Sequence, residues 1–375
     1  MDLNFSYIFH IFFLFFLFLI DKEQKKTHTY IHTAPKVICI ISYFLFWGLR
    51  GFIGTDFSWY YPYFSNLSEG LMNAFGDKER IEPGYVIYTY FFKQLCDNYH
   101  AFIAFSTAIN ILFLHIIFKK LLKEYYILGY IIFIAFCANL EFNNLRNIRS
   151  ILLFFISLNS IVKKDWKSFY CINLIGLTFH STSIFYFPLY FILNRNWKFI
   201  ILPVVIIGFL LIILQVNLLT STIQLVGSWM GGIYEASAYL FTSDLTTNKG
   251  LSAGAITRFI FGLILWKSYK KINEPIYRIY ANLAICYLFC FSFFNEIPVF
   301  RLRFSLMFSI ALCVIIPYIY TKLRRKYKLL YFIFISLTTL SQTMVNFQGP
   351  LFKYDNILWD ISTYENRMNI LNTQQ

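Results

Sequence analysis

Apolar runs near the length of a bilayer crossing recur from one end of this chain to the other, separated by short polar clusters. A crossing helix needs about 20 predominantly apolar residues. The runs fall at roughly 3–20, 35–53, 101–118, 126–142, 149–162, 168–179, 181–193, 199–217, 255–269, 276–294, 304–320 and 329–346. The pattern predicts an all-α, polytopic membrane protein of about twelve hydrophobic segments, several of them short. No polar block is long enough for a soluble domain. One membrane domain is therefore expected over 1–375, with large loops at about 54–100 and 218–254.

The run 168–193 is long enough to cross once, but a single crossing puts every later lysine-rich loop outside. Two half-length segments meeting at His180 restore the parity. Each of about 12 residues is roughly 18 Å long, so the reading is a broken hairpin whose turn is shielded by protein. The first run lacks a basic start and a small-residue cleavage site, and reads as a retained anchor.

Composition sharpens this picture. Of 375 residues, 58% are hydrophobic and 14% charged, more apolar surface than a soluble domain of that length can bury. The net charge of +14 suggests nucleic acid in a soluble protein. In a membrane protein it reflects Lys and Arg on cytoplasmic loops, so no nucleic-acid partner is expected. The seven cysteines show no zinc or redox spacing and read as small apolar filler.

The two basic residue types sort differently. On this topology most lysines are cytoplasmic. Arg50, Arg80, Arg146, Arg149, Arg258, Arg301, Arg303 and Arg367 lie outside, mostly at the ends of spans. Topology signals accept either residue, whereas bidentate recognition of a phosphate or carboxylate favours the planar guanidinium. A cationic pocket at the outer boundary, facing a lipid-borne anion, is the expectation; headgroup snorkelling is the alternative.

Several outer positions carry candidate chemistry. Arg50-Gly51-Phe52-Ile53-Gly54-Thr55-Asp56 opens the first large loop, followed by Trp59, Tyr60, Tyr61 and Tyr63. These aromatics suit an interfacial belt or a surface on which sugars stack. Glu82-Pro83-Gly84-Tyr85 stops one segment and starts another, placing Glu82 at a helix N-terminus, where capping alone could explain it. Arg146 and Arg149, at i and i+3, share a helix face. Two cations at a helix N-terminus oppose its dipole, which argues for a function such as clamping a diphosphate. His180-Ser181-Thr182-Ser183 marks the hairpin tip, and ionisable groups in such surroundings are functional candidates. Arg301 and Arg303 open a late span, two residues apart and so on different faces. There is no phosphate-binding loop and no zinc-ligand spacing, so neither metal nor cofactor is expected.

These pieces, in this order, resemble the EpsG family of Wzy-type polysaccharide polymerases. The matching positions are Arg50-x-x-x-Gly54-x-Asp56 with Tyr60 or Tyr61, Glu82-Pro83-Gly84-Tyr85, Arg146-x-x-Arg149, His180-Ser181, and Arg301 or Arg303. Ser150-Ile151 departs from the family's usual small residues, and the last 60 or so residues find no counterpart. The resemblance implies a helical fold of the glycosyltransferase-C type in a bacterial inner membrane. It further implies that oligosaccharide repeat units on undecaprenyl diphosphate are joined on the periplasmic face into O-antigen, capsule or exopolysaccharide, with membrane lipid and a chain-length regulator as partners. In that chemistry Arg146 and Arg149 meet the diphosphate, assisted by Arg50 and Arg301 or Arg303. His180, Asp56 and Glu82 are candidates for the general base, and Tyr60, Tyr61 and Tyr85 for the sugar track. A lipid-linked oligosaccharide flippase, or another lipid-sugar transferase or ligase, is the alternative.

Overall fold

The computed structural model describes residues 4–26, 33–67, 70–76, 81–232, 250–359 and 361–373. Arg80 and most of the loop after residue 232 fall outside these residues. The chain forms two compact units, Met1–Ile192 with Leu329–Gln375, and Leu193–Lys328.

The first unit begins with α1 (Phe5–Lys26) and α2 (Ala34–Tyr43), which loosens into a π turn at Phe44–Gly48. Then come α3 (Phe57–Ser65), α4 (Leu71–Gly76), α5 (Pro83–Leu95), α6 (Tyr99–Leu121), α7 (Tyr126–Cys137), α8 (Asn139–Phe142), α9 (Asn147–Val162) and α10 (Trp166–Phe179). A 3-10 turn (Ser181–Tyr186) leads to α11 (Leu189–Ile192). The second unit holds α12 (Lys198–Leu214), α13 (Leu218–Met230), α14 (Ala253–Tyr269), α15 (Pro275–Phe293) and α16 (Pro298–Lys322). The chain returns through α17 (Arg325–Asn346) and ends in α18 (Tyr364–Asn372).

Among the described residues, five helices are long and apolar enough to cross a membrane: Phe5–Gln24, Tyr99–Leu121, Pro275–Phe293, Pro298–Lys322 and Arg325–Asn346. A sixth results if α12 and α13, bent by 83°, are one broken span. The protein is thus a multi-pass membrane protein, but the count of about twelve is not reached. Hydropathy counts any apolar run, and several of these are short helices covered by protein. Almost every residue of α7, only 12 long, is buried.

The break expected at His180 is present. His180 ends α10 with extended backbone, φ −159° and ψ 130°. The chain then folds back: the Tyr170 hydroxyl donates to the Phe187 carbonyl at 3.3 Å, and the Phe169 and Tyr190 rings lie 5.2 Å apart. Gly176 gives this hairpin its closeness, since a Cβ there would meet Ser183 Oγ at 3.0 Å. Ser150 and Ser183 are hydrogen-bonded across the same contact, so Ser150 serves as the small residue this packing needs.

The first unit has two distinct ends. The 23 residues of α6 span about 34 Å. At one end Tyr99 packs on Phe52, with ring centres 5.8 Å apart, and Asn4 donates to the Phe347 carbonyl at 2.7 Å. At the other, Lys22 lies 3.5 Å from Glu124 and over the Tyr125 ring.

In the second unit, Glu296 accepts from the Leu219 amide and from the Thr220 amide at 3.1 Å. A carboxylate thus fills the positive end of α13.

Candidate functional site

The turn between α2 and α3 is shaped by Gly54 and Asn143. Gly54 has φ +88°, and a Cβ on it would lie 2.3 Å from Asn143 Oδ1. That same oxygen accepts the amides of Thr55 at 2.8 Å and Asp56 at 3.3 Å. Asp56 is thereby held at the start of α3, half-buried, its carboxylate accepting from Thr55 Oγ1 at 3.1 Å. Arg50 points the other way. It is 3% exposed and donates to the carbonyls of Trp47 and Glu141 and to Thr107 Oγ1. Expected as a substrate contact, it has donors engaged in holding the turn from within.

Glu82 precedes Pro83, whose fixed φ suits a first helical position. Its side chain makes no capping bond to α5. It reaches Arg146 Nη1 at 2.7 Å with one oxygen and accepts the Ser181 amide at 3.0 Å with the other. The capping reading is corrected: Glu82 ties α5, α9 and the hairpin tip together. Gly84 permits this approach, since a Cβ there would meet Thr178 at 2.2 Å. Burial alone would raise the Glu82 pKa, but the Ser181 amide, Arg146 and His180 outweigh it and hold the carboxyl below its usual range.

Arg146 lies between this carboxylate and an aromatic wall, its Cζ 4.8 Å from the Trp59 ring centre, a favourable cation–π distance. Burial opposes its charge, while Tyr60 and Glu82 more than restore it, and its pKa is raised. Burial, followed by the Asp56 charge, lifts the Tyr60 phenol to about 12. Arg149, one turn further along α9, is 2% exposed. It donates to the Leu145 carbonyl and to the Tyr88 hydroxyl at 2.9 Å, with its Cζ 4.4 Å from the Tyr88 ring centre. Its Nε has no hydrogen-bond partner, and among the described residues no carboxylate pairs with it. Arg146 and Arg149 both reach toward α5, the first to Glu82 just before its start and the second to Tyr88 within it.

His180 Nδ1 accepts the Thr182 amide at 3.2 Å, and Thr182 Oγ1 in turn donates to Asn147 at 3.1 Å. With Nδ1 accepting, the neutral ring carries its proton on Nε2 and meets an incoming group as a donor.

The first unit thus brings together Asp56, Glu82, Arg146, Arg149 and His180. It does not offer every expected aromatic. Tyr60 and Tyr85 are 5% and 1% exposed and sit inside a cluster with Tyr63 and Phe102, so neither presents an open face. Tyr61 is half-buried against Tyr99 and Tyr364. Trp59, the first of the loop aromatics, is the ring against Arg146. Arg301 and Arg303 belong to the second unit. There Arg301 donates to Asn295 at 2.8 Å, and Arg303 is exposed.

Sequence reasoning also passed over Glu141. It is fully buried and accepts from Tyr43 and Asn110, both at 3.1 Å. A lone acid in the apolar run 126–142 was the available signal.

No curated protein and no solved structure matches the chain. The EpsG family model matches residues 33–356, a stretch that contains the turn at Gly54, the Glu82–Arg146 pair, Arg149 and the His180 tip, and the chain belongs to the EpsG family.

Proposed function

We propose that this protein polymerises lipid-diphosphate-linked oligosaccharide repeat units, on undecaprenyl diphosphate in a bacterial cell membrane, at the extracytoplasmic end of the first unit. Membership of the EpsG family supports a polysaccharide polymerase in exopolysaccharide biosynthesis. The observation that carries the mechanism is Arg149: a buried guanidinium with no carboxylate partner among the described residues, one turn below Arg146. Glu141 acts on Arg149 through charge without an ion-pair contact, and a buried cation held in this way is stabilised further when an anion arrives. A diphosphate leaving group supplies that anion, and charge placed where it develops is what such a transfer needs.

In the reaction, a hydroxyl oxygen of one unit bonds to the anomeric carbon of another. The bond from that carbon to the diphosphate oxygen breaks, and the lipid diphosphate departs with the electron pair. Arg146 and Arg149 stabilise it, and His180 donates from Nε2. The hydroxyl proton needs an acceptor. Glu82 is a weak choice, because both its oxygens are engaged and its carboxyl is held low. Asp56, at the start of α3 beside Tyr60, is assigned that role. Trp59 offers the sugar face.

Sidedness has its own support. The end of the first unit opposite the site carries Lys22, Lys119, Lys120, Lys163 and Lys164. Lysine-rich ends tend to face the cytoplasm, which supports an outer position for Glu82, Arg146 and His180.

The test is the surface-glycan ladder from cells lacking the gene. Collapse to a single repeat unit is expected, with the unit still made and exported. Complete loss of glycan would favour a flippase, and an unchanged ladder would end the polymerase reading.

A further inference from the structure

The turn that carries Asp56 is held from outside by the segment after α17. Gly51 donates its amide to the Asp355 carbonyl at 2.9 Å, Gly54 to Leu351 at 3.1 Å, and Ile357 to Leu49 at 2.9 Å. Arg50 and Asn356 pair as an antiparallel bridge. Asn356 Nδ2 and the Tyr354 hydroxyl bind two further carbonyls, of Leu45 at 2.9 Å and Phe46 at 3.0 Å. Gly51 makes room for this contact, since a Cβ there would lie 3.0 Å from both Asp355 and Ile361.

One buried side chain organises the segment itself. Arg367, 1% exposed, pairs with Asp355 at 3.1 Å and donates to the carbonyls of Lys353 at 2.8 Å and Pro350 at 3.3 Å. The Ser362 amide completes the Asp355 carboxylate at 2.7 Å. On the same helix, Tyr364 packs against Tyr61, ring centres 4.6 Å apart. Its hydroxyl donates to the Ser58 carbonyl at 3.3 Å, touching the helix that presents Trp59 and Tyr60. Arg367 and Tyr364 both lie beyond residue 356, where the family match ends.

We infer that residues 350–359 and 361–372 form a strap that sets the position of Asp56 and α3 relative to the cationic residues, with Arg367 and Tyr364 as positioning residues. This rests on the polymerase reading above. Arg149 is anchored apart from α3, through Leu145 and Tyr88, and Arg146 keeps its ion pair with Glu82 even though it also touches Trp59 of α3. A loosened strap therefore shifts Asp56 and α3 while leaving Arg149 and the Glu82–Arg146 pair in place. The expected signature is a loss of turnover without a loss of donor binding, because a displacement of about 1 Å can cost on the order of 100-fold in rate.

The experiment uses full-length protein in nanodiscs with purified lipid-linked repeat units, comparing wild type with Arg367→Gln and Tyr364→Leu. Hydrogen exchange is followed over residues 49–60. Faster exchange of the Gly51 and Gly54 amides is expected, with kcat lowered at least about 10-fold and KM for the lipid-linked unit little changed. Tyr364→Leu leaves the Arg367–Asp355 pair intact and carries the test if Arg367→Gln fails to insert. Faster exchange with wild-type kcat would overturn the inference, as would a rise in KM alone. Wild-type protein that makes no polymer defeats the polymerase reading, and the strap's catalytic role with it, a failure distinct from that of the variants.

Discussion

Arg149 and Arg367 lie in the same unit, both almost fully buried, and they are filled in opposite ways. Arg367 has a carboxylate and two carbonyls around its guanidinium. Arg149 has one carbonyl, a phenol and the face of a ring. The first is an arginine whose charge a carboxylate neutralises, although its Nε, like that of Arg149, has no hydrogen-bond partner. The second has no carboxylate in ion-pair contact, Glu141 acting on it through charge alone. Arg50, bound to carbonyls and a hydroxyl, belongs with Arg367, and Arg146 stands between the two kinds. What a guanidinium is for is read from what occupies its donors, since depth of burial is the same in both cases.

The comparison breaks most easily at Arg149. Arg149→Ala should insert normally and lower polymerisation by roughly 100- to 1,000-fold, the usual scale for losing a donor to a developing oxyanion. Arg149→Lys should recover little, because an ammonium lacks the planar fork. Long polymer from either variant would remove the distinction drawn between Arg149 and Arg367.

Glu82→Gln comes next. It keeps the shape but removes the charge that holds Arg146, and turnover should fall on the order of 10-fold. The acid dependence follows by linkage. A carboxyl held below its unfolded value contributes stability that is present above that value and lost as pH falls through the folded one. Wild-type thermal stability should therefore keep this contribution down to about pH 4.3, the ordinary glutamate value, and lose it only below. The Gln variant should lack that acid limb, and thermal midpoints measured against pH will show whether it does.

The smallest effect on chemistry is expected at Arg50. Arg50→Lys forfeits carbonyl bonds and should cost about 1–3 kcal/mol of stability, seen as a lower unfolding midpoint. Turnover per folded molecule should fall less than in the Arg149 variants. Equal losses in both would place Arg50 among the substrate contacts after all.

Much of this unit was legible in the sequence, and the gaps have physical causes. The polar run His180-Ser181-Thr182-Ser183 inside an apolar stretch announced a break, because amides freed there need local partners. Pro83 and Gly84 announced the start of α5. The pairing of Glu82 with Arg146, 64 residues apart, was visible only as two separate pieces. Orientation was harder. Span ends can be read from hydropathy, but the side of a helix that meets protein cannot. Arg50 and Arg149 therefore looked alike until their donors were traced. For the same reason hydropathy does not tell a short protein-covered helix such as α7 from a crossing, nor a buried ring such as Tyr85 from one that faces a cation, such as Trp59.

The hairpin also works as a ruler. Fourteen residues of α10 fix the height, about 21 Å above its base, at which the Ser181 amide meets Glu82. One residue added or removed would turn the tip by roughly 100° and move it by about 1.5 Å, carrying both His180 and the amide out of register with α5. The spacing from Asp165 to His180 is thus under a constraint separate from the packing demands at Gly176 and Asn173. Within this stretch, length carries information that hydropathy does not.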